Sequence, residues 1–343
     1  MAVATERVNL IGLSREDYKG LHTTLCAGCG HNSITNHIIK ALYESAVPLH
    51  LLAKLSGIGC SSKTPAYFAE RSHGLNGVHG RMPSLATGAK LANRSLIVLG
   101  VSGDGDTASI GLGQYCHMIR RNLDVTYIVE DNGVYGLTKG QFSATAERGA
   151  KQKKGHSNPF EMIDVCGLAI EMGASFVARS FSGDGKQLVP LLQGALAHRG
   201  TAVLDVISPC VAFNDHEGSS YSYAYVKDHD VLLNAPDYIL PQAEILVDYE
   251  PGTVQDVELH DGSHILLRKV ERDYDATDRD NAMRTLAEAR HRGELVTGLL
   301  YVDPAAPDLC ASEGIPEQPL AELGADELRL SPEAWNTLMR EFG

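Results

Sequence analysis

Four apolar runs in this chain each stop at a segment that neither a helix nor a strand interior tolerates. Leu49 to Leu55 runs into Ser56-Gly57-Ile58-Gly59-Cys60, and Ser95 to Val101 runs into Gly103-Asp104-Gly105-Asp106. Val125 to Val129 leads to Asp131-Asn132-Gly133, and Thr201 to Ile207 leads to Pro209-Cys210. The runs have the length of buried strands, and helical patterns fall between them. Ser33 to Ala46 sets Ile34, Ile38, Ala41 and Leu42 at helical spacing, with Asn32 or Ser33 as the cap. Thr107 to Arg121 reads as a second helix, and Phe176 to Ala178 as a short strand. Asp184 caps a third helix whose Leu188, Leu191, Leu192, Ala195 and Leu196 form an apolar face. The expected fold class is α/β, a mostly parallel sheet with helices on both faces. Such sheets bind ligands outside the carboxyl ends of their strands, so the four segments are expected to converge on one site.

A chain of 343 residues, 43% of them hydrophobic, allows one large α/β domain with or without an appendage. The expected division is a site-bearing domain over 1–234 and a C-terminal extension over 235–343 that packs on a partner subunit. Within the extension, Val254 to Val270 reads as a hairpin turning at Asp261-Gly262, and Asp280 to Arg292 as a charged helix. The net charge of −13 argues against nucleic acid or an anionic membrane as partner. Lys151, Lys153 and Lys154 read as a solvated loop. Met1 to Tyr18 shows no secretory pattern and no segment has the length of a membrane span, so a cytoplasmic protein is expected. In that compartment the seven cysteines are thiols, metal ligands or redox groups rather than structural disulfides.

Gly103-Asp104-Gly105-Asp106 has the parts that a diphosphate needs. Asp104 offers a carboxylate to a hard divalent cation, which takes few protein oxygens and fills its octahedron with phosphate and water. The flanking glycines let the backbone turn and approach the anion without a Cβ, and the following helix points free N–H groups at it. Asn132 lies 28 residues after Asp104, one helix and one strand later, which returns it to the neighbouring strand end. The Asn132 side-chain carbonyl and the main-chain carbonyl of Val134 complete the oxygen set.

Cys26-Ala27-Gly28-Cys29 is a Cys-x-x-Cys motif, read singly as redox-active, zinc-binding or iron–sulfur binding. Cys60 and Cys210 sit at predicted strand ends and can join it, and four thiolates suffice for a four-iron cluster. Zinc ribbons more often show two such pairs. His22 and His31 are alternative ligands, whereas Cys116, Cys166 and Cys310 read as ordinary thiols.

Together these motifs resemble a known family. Gly-Asp-Gly followed by Asn after a helix and a strand is similar to the thiamine diphosphate signature, although Asp131 stands where many such enzymes have a second Asn. Cys26 to His31, Leu55 to Ser62, His79-Gly80-Arg81, Ala86-Thr87-Gly88, Gly103 to Asp106 and Asp131 to Gln141 resemble the β subunit of 2-oxoacid:ferredoxin oxidoreductases, most closely the 2-oxoglutarate type. The resemblance covers about Leu25 to Cys210. It implies a thiamine diphosphate and magnesium site, with Asp104, Asn132 and Val134 on the metal. Ile58, Gly59, Cys60, Ser61, His79, Gly105, Asp106, Gly136 and Leu137 form the cofactor cradle. Cys26, Cys29, Cys60 and Cys210 hold one 4Fe-4S cluster. Lys139 and Arg81 are candidates for contacts to the 2-oxoacid or to coenzyme A.

The implied reaction is oxidative decarboxylation of 2-oxoglutarate to succinyl-CoA and carbon dioxide, reversible in principle, with electrons passing through the cluster to ferredoxin. The family's α subunit supplies the glutamate that activates the cofactor, so an α2β2 assembly is expected and this chain alone is expected to be inactive. Pyruvate or branched-chain 2-oxoacids are alternative substrates. A non-oxidative thiamine-dependent lyase with structural or zinc-bound cysteines is the rival enzyme class.

Overall fold

The computed structural model describes residues 7–138, 140–150, 156–211, 242–260 and 262–342. Lys139, Lys151, Lys153, Lys154, Asp261 and the expected boundary at 234/235 lie outside them. The chain opens with α1 (Gly30–Glu44), β1 (Leu52–Ser56), β2 (His73–Asn76), α2 (Met82–Ala92) and β3 (Ile97–Gly103). It continues through α3 (Leu112–Arg120), β4 (Val125–Asp131) and a small hairpin of β5 (Val134–Tyr135) and β6 (Gln141–Phe142). Next come α4 (Val165–Glu171), β7 (Phe176–Phe181), α5 (Gly185–Ala197) and β8 (Thr201–Ile207). The last part holds β9 (Val254–Glu258), β10 (His264–Lys269), α6 (Arg279–His291), β11 (Glu294–Val302), α7 (Leu309–Ser312) and α8 (Pro332–Phe342).

Nine strands form one sheet in the order β2-β1-β3-β4-β8-β7-β11-β10-β9. The six from β2 to β7 run parallel, as the alternation of strands and helices requires. β4 and β8 lie in the middle and are buried along almost their whole length, hence their unbroken apolar, β-branched character. Successive side chains point to opposite faces. Tyr127, Val129, Val177 and Val203 pack beneath α2, α3, α4 and α6, whereas Ile128, Ala178 and Leu204 pack beneath α1 and α5. The helices on both faces are therefore as the sequence predicts.

Several local features differ from the sequence expectation. The helix expected over Thr107–Arg121 is divided into a π-helical turn, Gly105–Ile110, and α3. Gly111 N–H reaches back to the Asp106 carbonyl at 2.8 Å, and a Cβ on Gly80 would lie 2.8 Å from Gly111, so the loop before α2 presses on the junction. Such wide turns cluster at functional sites. α1 begins at Gly30, with Cys29 rather than Asn32 or Ser33 as its cap residue. A Cβ on Gly30 would sit 2.6 Å from the hydroxyls of Ser182 and Ser208, so only glycine lets the helix start this close to the ends of β7 and β8.

The region expected as an extension joins the main sheet. β11 pairs antiparallel with β7, β10 pairs parallel with β11, and β9 closes the edge antiparallel to β10. Residues 254–302 therefore pack on their own chain. β11 itself is not anticipated, because Gly298 at φ +125° and an irregular register near Leu299–Tyr301 break its alternation. Among the described residues no helix is long and apolar enough to cross a membrane.

Candidate functional site

The carboxyl ends of β1, β3 and β4 open on one cleft, lined by Ile58–Ser61, His79, Gly103–Asp106, Glu130, Asn132 and Val134–Thr138, with His31 at its side. Asp106 ties three of these segments together. Its carboxylate accepts from Gly80 N–H at 2.8 Å, from the Ser102 hydroxyl at 2.7 Å and from Ile58 N–H at 3.3 Å, and it contacts His79 Nδ1. A Cβ on Gly57 would fall 1.8 Å from Asp106 Oδ2, so glycine is required where the β1 loop crosses the Asp106 carboxylate. His79 is about one-third exposed, and its ring meets Tyr135 edge-on with centroids 6.4 Å apart.

The β4 end forms a tight turn. Asn132 Oδ1 accepts from Val134 N–H at 3.1 Å, Asp131 Oδ1 accepts from Gly133 N–H at 3.1 Å, and Gly133 takes a φ of +72°. Tyr135 then leans over the Gly-Asp-Gly turn, with its hydroxyl donating to the Gly105 carbonyl at 3.2 Å. Asp104, Asn132 and Val134 thus face one cleft, as do all nine residues expected to cradle the cofactor.

Asp104 is buried, and burial pushes its carboxyl up to about 6, against hydrogen bonds from Ser143 and Thr145 that favour the ionised form. Asp131 is pushed well above the usual carboxylate range, first by burial and then by Asp104 beside it. Among the described residues, no Lys or Arg forms an ion pair with either carboxylate. Two acids held together out of water with no cationic side chain could share a metal ion.

The cysteine set adjoins the cleft, and Cys60 is part of its lining. Cys29 caps α1, Cys60 precedes the 3-10 turn Ser61–Ala66, and Cys210 follows β8. The sulfurs of Cys60 and Cys210 lie 3.5 and 3.8 Å from the point a Cβ on Gly136 would occupy. Cys29 N–H donates to the Cys26 carbonyl at 3.2 Å, closing the Cys-x-x-Cys loop. Burial raises the thiols of Cys29 and Cys60, and the neighbouring thiols Cys210 and Cys26 add to the effect. Among the described residues, no three His, Cys, Asp or Glu side chains close around a single ion. Cys116 lies in α3, Cys166 against Ala178 and Asp205, and Cys310 against Lys90, away from this group.

Two buried polar positions, Glu130 and Thr145, escape the sequence reading. Glu130 is fully buried in the cleft wall, where it accepts from Thr64 at 3.0 Å. Beside it, His31 Nδ1 meets the Ser208 hydroxyl at 2.6 Å, and burial holds this imidazole at about 4. A glutamate ending a β-branched strand was the available signal for Glu130. Thr145, which bridges Asp104 and Asp131, gave none. Arg81 is exposed at the start of α2 and is absent from the cleft lining. A second cavity of about 290 Å³ shares Asn132 and Val134 with the cleft and is walled by Phe142, Met162, Ile207 and Leu295.

Known proteins share the fold and much of the sequence. The thiamine pyrophosphate enzyme, C-terminal TPP binding domain family matches residues 57–206, the stretch from the β1 loop to β8. The β subunit of a 2-oxoacid:ferredoxin oxidoreductase from a Sulfolobus species is 38% identical over 230 residues, 65% of this chain and 75% of that one. The 2-oxoglutarate oxidoreductase subunit KorB of Mycobacterium tuberculosis is 40% identical over 194 residues, 55% of this chain and 51% of its own length. In three dimensions the chain is similar to a 2-oxoglutarate:ferredoxin oxidoreductase from Magnetococcus marinus with 2-oxoglutarate, coenzyme A and succinyl-CoA bound. That similarity has a TM-score of 0.73 at 29% identity and covers 100% of both chains. The chain belongs to the 2-oxoacid:ferredoxin oxidoreductase β subunits, the thiamine diphosphate-binding subunits of an oxidoreductase family.

Proposed function

We propose that this chain is the β subunit of a 2-oxoglutarate:ferredoxin oxidoreductase that forms succinyl-CoA. The observation that carries this reading is that the Asp104–Asn132 turn pair shares one cleft with Cys60, around which Cys26, Cys29 and Cys210 gather. The acid pair Asp104 and Asp131 fits a divalent cation, with Asp104, Asn132 Oδ1 and the Val134 carbonyl as its protein ligands. Cys26, Cys29, Cys60 and Cys210 fit a 4Fe-4S cluster.

Thiamine diphosphate, when bound, supplies the carbon nucleophile and electron sink for a 2-oxoacid, and a neighbouring cluster suits electrons that leave singly. This chain's part is to bind and orient. Asp106 fixes His79 Nδ1, the π turn lays Gly105 and Asp106 along the cleft, and Tyr135 holds the Asn132–Val134 turn against them. Burial lowers the basicity of His31 and raises the Glu130 carboxyl in the wall near the cysteines.

The cleft is half of a site. Its rim exposes Ile58 and Leu137, and both need cover. An α subunit supplies that cover, together with the activating glutamate, in an α2β2 assembly. Residues 320–342 have no buried side chain and extend toward the same kind of partner. Coenzyme A, 2-oxoglutarate and ferredoxin are the remaining partners, with Lys139 and Arg81 as candidate contacts for the first two. The decisive experiment is anaerobic co-expression with the α subunit, followed by iron and sulfide analysis and a 2-oxoacid panel. The reading requires about four irons per β chain and dye reduction that is fastest with 2-oxoglutarate. A colourless complex, or preference for pyruvate, refutes it.

A further inference from the structure

One hydroxyl joins the two strand ends that carry the cation's oxygens. Thr145 Oγ1 lies 3.1 Å from Asp104 Oδ2 and 2.8 Å from Asp131 Oδ1. Asp131 Oδ1 in turn accepts the Gly133 N–H, inside the turn that presents Asn132 and Val134. Thr145 belongs to neither strand. It lies in the loop after β6, which the main chain fixes in place. Ser143 N–H donates to the Gly133 carbonyl at 3.0 Å and Ile163 N–H to the Ala144 carbonyl at 2.7 Å. Ser109, in the π turn, receives Ala144 N–H at 3.0 Å. Thr145 is buried, and Ser143 Oγ sits 2.9 Å from its hydroxyl.

We propose that Thr145 is a positioning residue for the divalent cation, setting the Asp104 carboxylate relative to the Asn132–Val134 turn, with Asp131 as its anchor. The proposal rests on the assignment of Asp104, Asn132 and Val134 as the cation's ligands. A hydroxyl has one hydrogen and two lone pairs, so between two carboxylates it donates to one at a time. Full ionisation of both acids leaves one oxygen facing a lone pair, and a bound cation offsets that repulsion. Groups that orient a metal's ligands without touching the metal change its affinity by about 10–100-fold when removed.

The test uses the enzyme purified with its α subunit, stripped with chelator and titrated with Mn2+ in saturating thiamine diphosphate. The free-ion signal is followed by electron paramagnetic resonance. Thr145→Val and Thr145→Ala are expected to weaken Mn2+ binding about 10–100-fold, and Thr145→Ser to restore it to within about threefold. Melting of the stripped protein reports folding separately. Wild-type affinity in the folded Val or Ala variants overturns the proposal. Equal weakening in the Ser variant overturns it too, because the methyl group and not the hydroxyl would then matter. Asp104→Asn is the control for the ligand assignment. If it binds Mn2+ like the wild type, that assignment has failed and the Thr145 proposal falls with it.

Discussion

His31 Nδ1 lies 3.6 Å from Glu130 Oε2, and both side chains are buried. Burial holds His31 at about 4 and pushes Glu130 well above the usual carboxylate range. The unfolded chain takes up a proton at this histidine below about pH 6.5, whereas the folded chain waits until about 4. His31 therefore removes stability as pH falls from 6.5 toward 4. His31→Gln is expected to flatten that part of the profile, read from urea midpoints at about pH 7 and pH 5. Identical losses in both proteins would show that His31 is protonated in the fold.

Gly57 and Gly88 make opposite predictions for the same substitution. Gly57→Ala drives a methyl into Asp106, which is held from Ser102, Ile58 and Gly80 and has no room to retreat. The expected loss is about 1–3 kcal/mol, with thiamine diphosphate affinity falling as the Ile58 loop shifts. Gly88→Ala meets nothing within 4 Å inside α2, and a gain of about 0.5–1 kcal/mol is expected. Denaturant unfolding of both variants checks the pair.

The four-cysteine assignment makes a binary prediction. Cys60→Ser and Cys210→Ser are expected to abolish the cluster's visible absorbance and most of the bound iron in the anaerobically purified complex. Cys116→Ser, Cys166→Ser and Cys310→Ser are expected to keep both. Iron retained in the first pair, or lost in the second group, places the cluster elsewhere.

Glu294 tests how firmly the C-terminal strands belong to the sheet. At the start of β11 it accepts from Arg268 Nε at 2.6 Å and from Arg292 Nε at 2.8 Å, which lowers its carboxyl to about 2. The stability it contributes is complete above the ordinary glutamate range and is lost as pH falls from there toward 2. Glu294→Gln is expected to lower the melting temperature at neutral pH and to shrink that difference at about pH 3. A constant difference would mean that packing, not charge, is responsible.

Trp335 is the only tryptophan in the chain, and it lies with Leu338, Met339 and Phe342 on one exposed stripe of α8. Trp335→Glu is expected to leave the melting of the isolated chain unchanged and to weaken its co-purification with the α subunit. A large drop in melting temperature would instead place this helix on its own chain.

The sequence by itself determined the architecture and the chemical inventory. Unbroken apolar runs of strand length specified β1, β3, β4 and β8. The Gly, Asp, Asn and Cys segments where those runs stop pointed to a site for a diphosphate, with a cation and thiolates proposed beside it, because few other residues allow such turns or supply such ligands. Tertiary structure decided what no local signal carries. Pairing of β11 with β7 drew residues 254–302 into the sheet, although Gly298 hides the strand's period. Contact between the Gly80 loop and Gly111 accompanies the π turn that breaks the expected helix. Burial shifted His31 down and Glu130 up from their ordinary values, and a loop 41 residues after Asp104 brought Thr145 to it. Hydrogen-bond partners and dielectric depend on which segments meet in space, and spacing along the chain constrains that only weakly.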